Sequence, residues 1–255
     1  MRGVLPPEEL IEWLFALVPW MASSLRIPAR RGTVVLPLDE EFPVDTSLSG
    51  QALAEDFLAF VVEHAGLGGR AFTVRMDEER GPAAALKGMV HAMTPSITGG
   101  TSVPVARGKP LPIPISAPEL TDRRRLIAVL ARGLAHYHSQ TARTPIPEPS
   151  SMQGAVVDVI TVFLGFGVFL ANACHDAGGF ERGGLIGFRV QRLGELGPIE
   201  VAYALALRAR LVGADPEEIT PHLRANPRAF FQAAWRDLGT RDLDALDVAA
   251  SAYRS

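Results

Sequence analysis

RRRLIAVLARGLAHYHSQ, residues 123–140, is the stretch on which the fold turns. It reads as one helix. Arg123-Arg124-Arg125 opens it, and a solvated first turn accounts for that run. Arg132 and His136 stand at i and i+4, so they share a helix face. His138, about 200° further round, does not share it and is predicted to be exposed. Pro145, Pro147 and Pro149 make the next segment a loop. Residues 153–172, QGAVVDVITVFLGFGVFLAN, then read as a helix that is hydrophobic on every side, hence buried on every side. Asp158 is its one charge. Gly165 and Gly167 each cost about 1 kcal/mol of helix propensity relative to Ala, a cost that close approach of a neighbouring helix would explain.

On the N-terminal side, residues 6–17 read as a helix with proline at its start, acids in its first turn and Leu10, Trp13, Leu14 and Leu17 on one face; Pro19 kinks or ends it. Residues 33–36 read as a short strand, 39–49 as a loop, and 50–64 as an amphipathic helix carrying Leu53, Phe57, Phe60 and Val61. Residues 71–76 read as a second strand and 77–81 as an acidic turn. Further strands are expected at 89–93, 101–105 and 113–116, with Pro104 and Pro114 confining the last two to sheet edges. His91 lies among them and is given no role.

On the C-terminal side, the Gly-rich residues 174–187 read as a mobile loop. The rest is helical: 198–212, a short 216–223, 226–238 with Asn226 as N-cap and Pro227 next, and 241–253. The expected fold class is α+β in a single domain over residues 1–255. It has a small mixed or antiparallel sheet in the N-terminal half and a predominantly helical C-terminal half. Residues 1–28 form a helix that could serve as an interaction segment in a homo-oligomer.

Composition narrows the function. The chain has 255 residues, 47% hydrophobic and 21% charged, enough for a sizeable core. A formal net charge of -3 gives no reason to expect nucleic acid as a partner. One cysteine, Cys174, excludes an internal disulfide and fits a reducing, cytoplasmic location. The apolar residues 10–25 follow Pro6-Pro7-Glu8-Glu9 and contain Glu12 and Pro19, unlike a signal peptide. Residues 156–173 carry Asp158 and Asn172 and fall short of the ~20 residues a membrane span needs, so a core helix is expected there. No nucleophile-elbow motif and no phosphate-binding Gly-rich loop is present.

The pair of central helices resembles a zinc-hydrolase arrangement. In the motif His-Glu-x-x-His, two ligands at i and i+4 flank a glutamate base. The chain resembles an uncharacterised bacterial family of zincin-like, gluzincin-type metallopeptidase homologues. In that family the first helix reads approximately His-Glu-Leu-Ala-His, and Glu-x-Leu-Thr-Asp precedes a run like Thr161–Asn172, TVFLGFGVFLAN. Asp158 matches the family's Asp. TVVLPLDEEFP, YALALRARLVG and LRANPRAFFQAAWRDL extend the similarity over residues 33–238. The resemblance implies a zincin-like fold, zinc as the family's cofactor, and functional positions that fall on Arg132, Gly133, His136 and Gly154. Only His136 keeps its residue. The motif is degenerate.

The resemblance therefore implies a pseudoenzyme, a scaffold without catalytic residues or bound cofactor, acting as a protein-binding or structural module. Under it, Arg132 either reaches Asp158 as a fixed cation, bidentate in the manner of guanidinium–carboxylate pairs, or points to solvent. His136 is a relic ligand, now hydrogen-bonded. The alternative is a divergent metal-dependent hydrolase that recruits zinc through His136 and Asp158 with His175 or His138. Cys174, His175 and Asp176 follow the apolar helix but match no metal-ligand spacing. A third possibility is a purely structural subunit.

Overall fold

The computed structural model describes residues 4–27, 32–37, 47–67, 71–76, 111–146, 152–174, 176–182, 185–191, 193–244 and 246, and for 176–182 and 185–191 it describes the backbone. α1 spans Glu8–Trp20. Pro19 does not end it: the chain runs on through a wider, π-type turn, Met21–Leu25, and stops at Arg26 with φ 58°. Ile11, Leu14, Leu17, Val18, Trp20, Met21 and Leu25 are all buried in the chain's own core. These side chains of residues 11–25 are thus already used by the chain's own core, and deleting them would open that core rather than test an oligomer contact.

Residues 33–36, expected as a strand, belong to no sheet among the described residues; Val35 N donates instead to Gly165 O at 2.9 Å. α2 spans Gly50–His64, with Phe57 and Val61 fully buried. β1 (Phe72–Met76) pairs with β2 (Leu111–Ile115) in parallel, Phe72 opposite Leu111 and Met76 opposite Ile115. The expected mixed or antiparallel N-terminal sheet is corrected to a parallel one. Residues 77–110 lie between the strands, long enough for the crossover that parallel pairing requires. Leu111 N donates to Ala71 O, so the positions in phase with it bond β1, while Pro112 and Pro114 fall out of phase, where a missing donor breaks no ladder bond. The strands expected at 89–93 and 101–105, and His91, lie outside the described residues.

α3 spans Arg123–Gln140, as predicted, with Asp122 as N-cap accepting from Arg125 N at 3.0 Å. Of the opening arginines, Arg123 and Arg124 are exposed, but Arg125 is buried and its Nη1 reaches Ala173 O at 3.4 Å. The expected helix 153–172 is two helices, α4 (Gln153–Thr161) and α5 (Gly167–Ala173), joined by a π turn at Val162–Phe166. Gly165 breaks the helical dihedrals there with φ 108°, a conformation that favours glycine. Gly167 serves the predicted close approach: a Cβ there would stand 2.7 Å from Leu205 Cδ1. Together the segment spans 21 residues, long and apolar enough to cross a membrane by composition alone, and 94% of its apolar window is buried inside the protein.

The Gly-rich residues expected as a mobile loop form an antiparallel hairpin, β3 (Asp176–Arg182) and β4 (Leu185–Gln191). Ile186, Phe188 and Val190 alternate along β4, the period-two signal of a strand, and Gly-Gly lies between the two runs. α6 (Pro198–Val212) is buried almost throughout and packs between α5 and α8 (Ala225–Leu238); α7 (Pro216–Ile219) and a 3₁₀ turn at Thr220–His222 connect them. The N-cap of α8 is Arg224, two residues before the predicted Asn226; Asn172 Oδ1 accepts from Arg224 N at 2.8 Å and stabilises that earlier start. Residues 247–255, expected to finish a last helix, lie outside the described residues. The architecture is α+β and dominated by helices.

The candidate functional site between the two central helices

Asp158 is 0% exposed. A carboxylate in that position needs donors on both oxygens. Oδ1 accepts from Arg132 Nε at 2.6 Å, across from α3. Oδ2 accepts from two backbone amides, Glu195 N at 2.6 Å and Leu196 N at 2.9 Å. One side chain thus ties three pieces of chain together: α3, α4 and the turn that leads into α6. The turn depends on glycine. Gly194 has φ 90°, and a Cβ on it would lie 2.5 Å from Asp158 Oδ2. Arg132 does not point to solvent; it is 7% exposed, and it bonds Asp158 through Nε.

Gly133 sits where α3 crosses the small sheet. A Cβ there would meet Ile113 Cγ2 at 2.7 Å and two further Ile113 carbons at 3.2 Å. The space beside Gly133 is filled by a strand side chain. Gly154, in the first turn of α4, is covered in another way: a Cβ there would overlap the carboxyl group of Glu195. A carboxylate therefore lies over Gly154, and it arrives from the turn before α6. Sequence reasoning missed both Glu195 and Gly194. The only local signal was a turn composition, Gly-Glu-Leu-Gly-Pro, at 194–198.

His136 is half-buried, and its Nε2 lies 2.8 Å from Gln140 Nε2, one helical turn on. The Gln140 amide donates there, which leaves the imidazole neutral with its proton on Nδ1. Burial, and then the charge of Arg132, hold its pKa below the ordinary 6.5. Because the unfolded chain takes up this proton more readily, His136 contributes stability that is complete above about pH 6.5 and is lost as the pH falls below it. Urea midpoints taken at about pH 7.5 and about pH 5.5 should therefore fall with acid, and His136→Gln should flatten that fall. An equal slope in both proteins would show that His136 is not held neutral.

His138, expected to be exposed, is buried at 7% and lines a cavity together with the end of α2 and Arg208 of α6. Cys174 is buried and its Sγ donates to Ala171 O at 3.3 Å; His175 lies outside the described residues. Among the described residues no three His, Cys, Asp or Glu side chains converge as a metal-binding group. The donor set itself does not fit a zinc ion. A guanidinium has no lone pair to give, Gly133 and Gly154 bring no side chain, and both oxygens of Asp158 are already bonded to N–H donors. What the arrangement does is brace: it fixes a buried charge and orients a turn. No protein-family model matches the chain, and neither a curated protein nor a solved structure matches it.

Proposed function

We propose that the chain is a zincin-like pseudoenzyme, a peptidase-type scaffold that serves as a protein-binding or structural module, working in the cytoplasm. The observation that carries this is the Arg132–Asp158 pair, a permanent cation held at 2.6 Å from a fully buried carboxylate at a position where the resembled family places a zinc ligand. Zinc hydrolysis needs three protein ligands, an open coordination site and a base. Of the four positions that would supply ligands and base, His136 alone carries a donor. An ion pair made inside the protein does the mechanical part of a metal's work, joining two helices, and none of its chemical part. The partner is proposed to be protein, a second copy included; the net charge of -3 speaks against nucleic acid.

Metal analysis of protein purified without added metal tests this. Zinc well below one equivalent per chain is expected, with no change in thermal midpoint on adding chelator. Stoichiometric zinc that disappears in His136→Ala would overturn the proposal in favour of a divergent hydrolase.

A further inference from the structure

A groove of about 670 Å³ runs along α8, between that helix and the α7–3₁₀ connection. Volumes of this order are typical of ligand sites. On the α8 wall, Arg228, Phe231, Trp235 and Arg236 stand at i, i+3, i+7 and i+8, one stripe of the helix surface. Pro216, Pro221 and Glu217 line the opposite side. The floor is aromatic: Phe231 is 0% exposed, and its ring stacks on that of half-buried Trp235 with centroids 6.0 Å apart. Arg210 of α6 holds the indole from outside the groove, with Cζ 3.9 Å from the ring centroid and Nη2 donating to Trp235 O at 2.7 Å. The floor is thus fixed before any ligand arrives.

The polar groups of the groove are donors with capacity to spare. Arg228 donates from Nε and Nη2 to Leu223 O, at 3.2 and 2.9 Å, and from Nη2 to Pro221 O at 3.4 Å. Arg236 donates from Nε to Gln232 O at 3.2 Å. These bonds hold both exposed guanidinium groups against the backbone, and neither group meets a carboxylate among the described residues. The Trp235 indole N–H has no acceptor among the described residues either and, unlike that of Trp13, is not sealed from solvent. Two arginines face one lining carboxylate, Glu217, in a chain whose net charge is -3, so the groove favours an acidic occupant.

We propose that this groove binds an extended, proline-containing peptide segment of a partner protein, with apolar residues on Phe231 and Trp235 and an acidic residue at each end against Arg228 and Arg236. An extended backbone is required because the Trp235 N–H needs a free carbonyl, and the carbonyls of a helix are already bonded. Arg228 and Arg236 lie about 12 Å apart along the helix axis, a span that a polyproline-type chain rising about 3.1 Å per residue covers in about four residues. Acids at i and i+4 of the peptide therefore match the two guanidinium groups, and proline between them lowers the ordering cost of binding. The inference rests on the proposed function only in taking the partner to be protein; it uses no residue of the Arg132–Asp158 brace.

Titration calorimetry with N-acetylated pentapeptides Glu-x-Pro-x-Glu, x being leucine, isoleucine, phenylalanine or tryptophan, tests this beside the same peptides ending in glutamine or lysine. At least one glutamate peptide should bind at millimolar concentration or below, about threefold or more tighter than its glutamine counterpart and tighter still than its lysine counterpart. Trp235→Phe keeps the ring and loses the N–H; it should weaken that peptide by about threefold or more. Arg236→Gln, at an exposed position, should weaken it by about threefold or more, leave the glutamine peptide unchanged, and decide the matter if Trp235→Phe does not fold. Failure of every glutamate peptide to bind, glutamine or lysine peptides binding as tightly, or unchanged affinity in Arg236→Gln would overturn the proposal. A dimer in light scattering that Arg236→Gln dissociates would give the groove to a second copy and overturn it equally. Metal content tests the pseudoenzyme reading separately and is expected to be the same in every one of these proteins.

Discussion

Replacing Asp158 with alanine is expected to destabilise the protein by about 3–5 kcal/mol, the cost of breaking a buried ion pair from one side. The carboxylate accepts from Arg132 Nε and from the amides of Glu195 and Leu196, and nothing of it reaches solvent. Its loss leaves a guanidinium charge in the core and two amides without an acceptor, and each orphaned amide adds a penalty of about 1–3 kcal/mol that overlaps with the first. A domain is stable by only about 5–15 kcal/mol, so the variant should sit near its unfolding transition. Asp158→Asn keeps an oxygen for the two amides but turns its NH2 toward the Arg132 Nε–H, donor against donor, so it loses the ion pair and its hydrogen bond and should fall between the wild type and the alanine variant. Urea denaturation of the three proteins checks the order. A loss below about 1 kcal/mol in the alanine variant would mean that the pair contributes little.

The second large effect is expected from rebuilding the zinc motif. Arg132→His, Gly133→Glu and Gly154→Glu together would place at these positions the ligands and base that the resemblance implies. The altered protein is predicted to be inactive as a peptidase and strongly destabilised, because the present neighbours of these positions leave no room for the new side chains. Arg132→His removes the counter-charge of Asp158 at its bonded Nε. Gly133→Glu would push a side chain into Ile113, whose carbons stand 2.7–3.2 Å from the added Cβ. Overpacking of this kind costs about 1–3 kcal/mol. Gly154→Glu would displace the Glu195 carboxylate, whose own backbone amide is anchored to Asp158. Alanine variants separate these contributions. Gly154→Ala must move the Glu195 carboxylate, which offsets the gain of about 1 kcal/mol in helix propensity, so it should cost far less than Gly154→Glu. Gly133→Ala meets a packed strand residue and should not gain. A triple variant that folds with one zinc per chain and cleaves peptides would refute this account of the site.

The ion pair was legible because Asp158 is the one charge on an otherwise apolar buried helix, and such a charge demands a partner; Arg132 stood on the neighbouring helix at a face-sharing distance from His136. Helix limits were legible where caps are local: Asp122 before α3, Gly197-Pro198 before α6. What escaped depends on non-local contacts. Glu195 lies over Gly154 and Gly194 makes room for Asp158, yet neither carries a pattern beyond that of a turn. The burial of His138 depends on where the end of α2 packs. Parallel pairing of β1 and β2 follows from a long connection, whose direction no alternation in either strand encodes. The hairpin at 176–191 is hidden because its glycines carry a loop signal that outweighs the short alternation of Ile186, Phe188 and Val190.

A double-mutant cycle on Arg132→Met and Asp158→Ala, measured by urea denaturation with and without chelator, tests most directly whether a side-chain ion pair, and no metal, joins α3 to α4. The two changes should be strongly non-additive, with a coupling energy of about 2–3 kcal/mol that chelator does not alter. Effects that add to within about 0.5 kcal/mol, or a coupling that appears only when zinc is supplied, would contradict it.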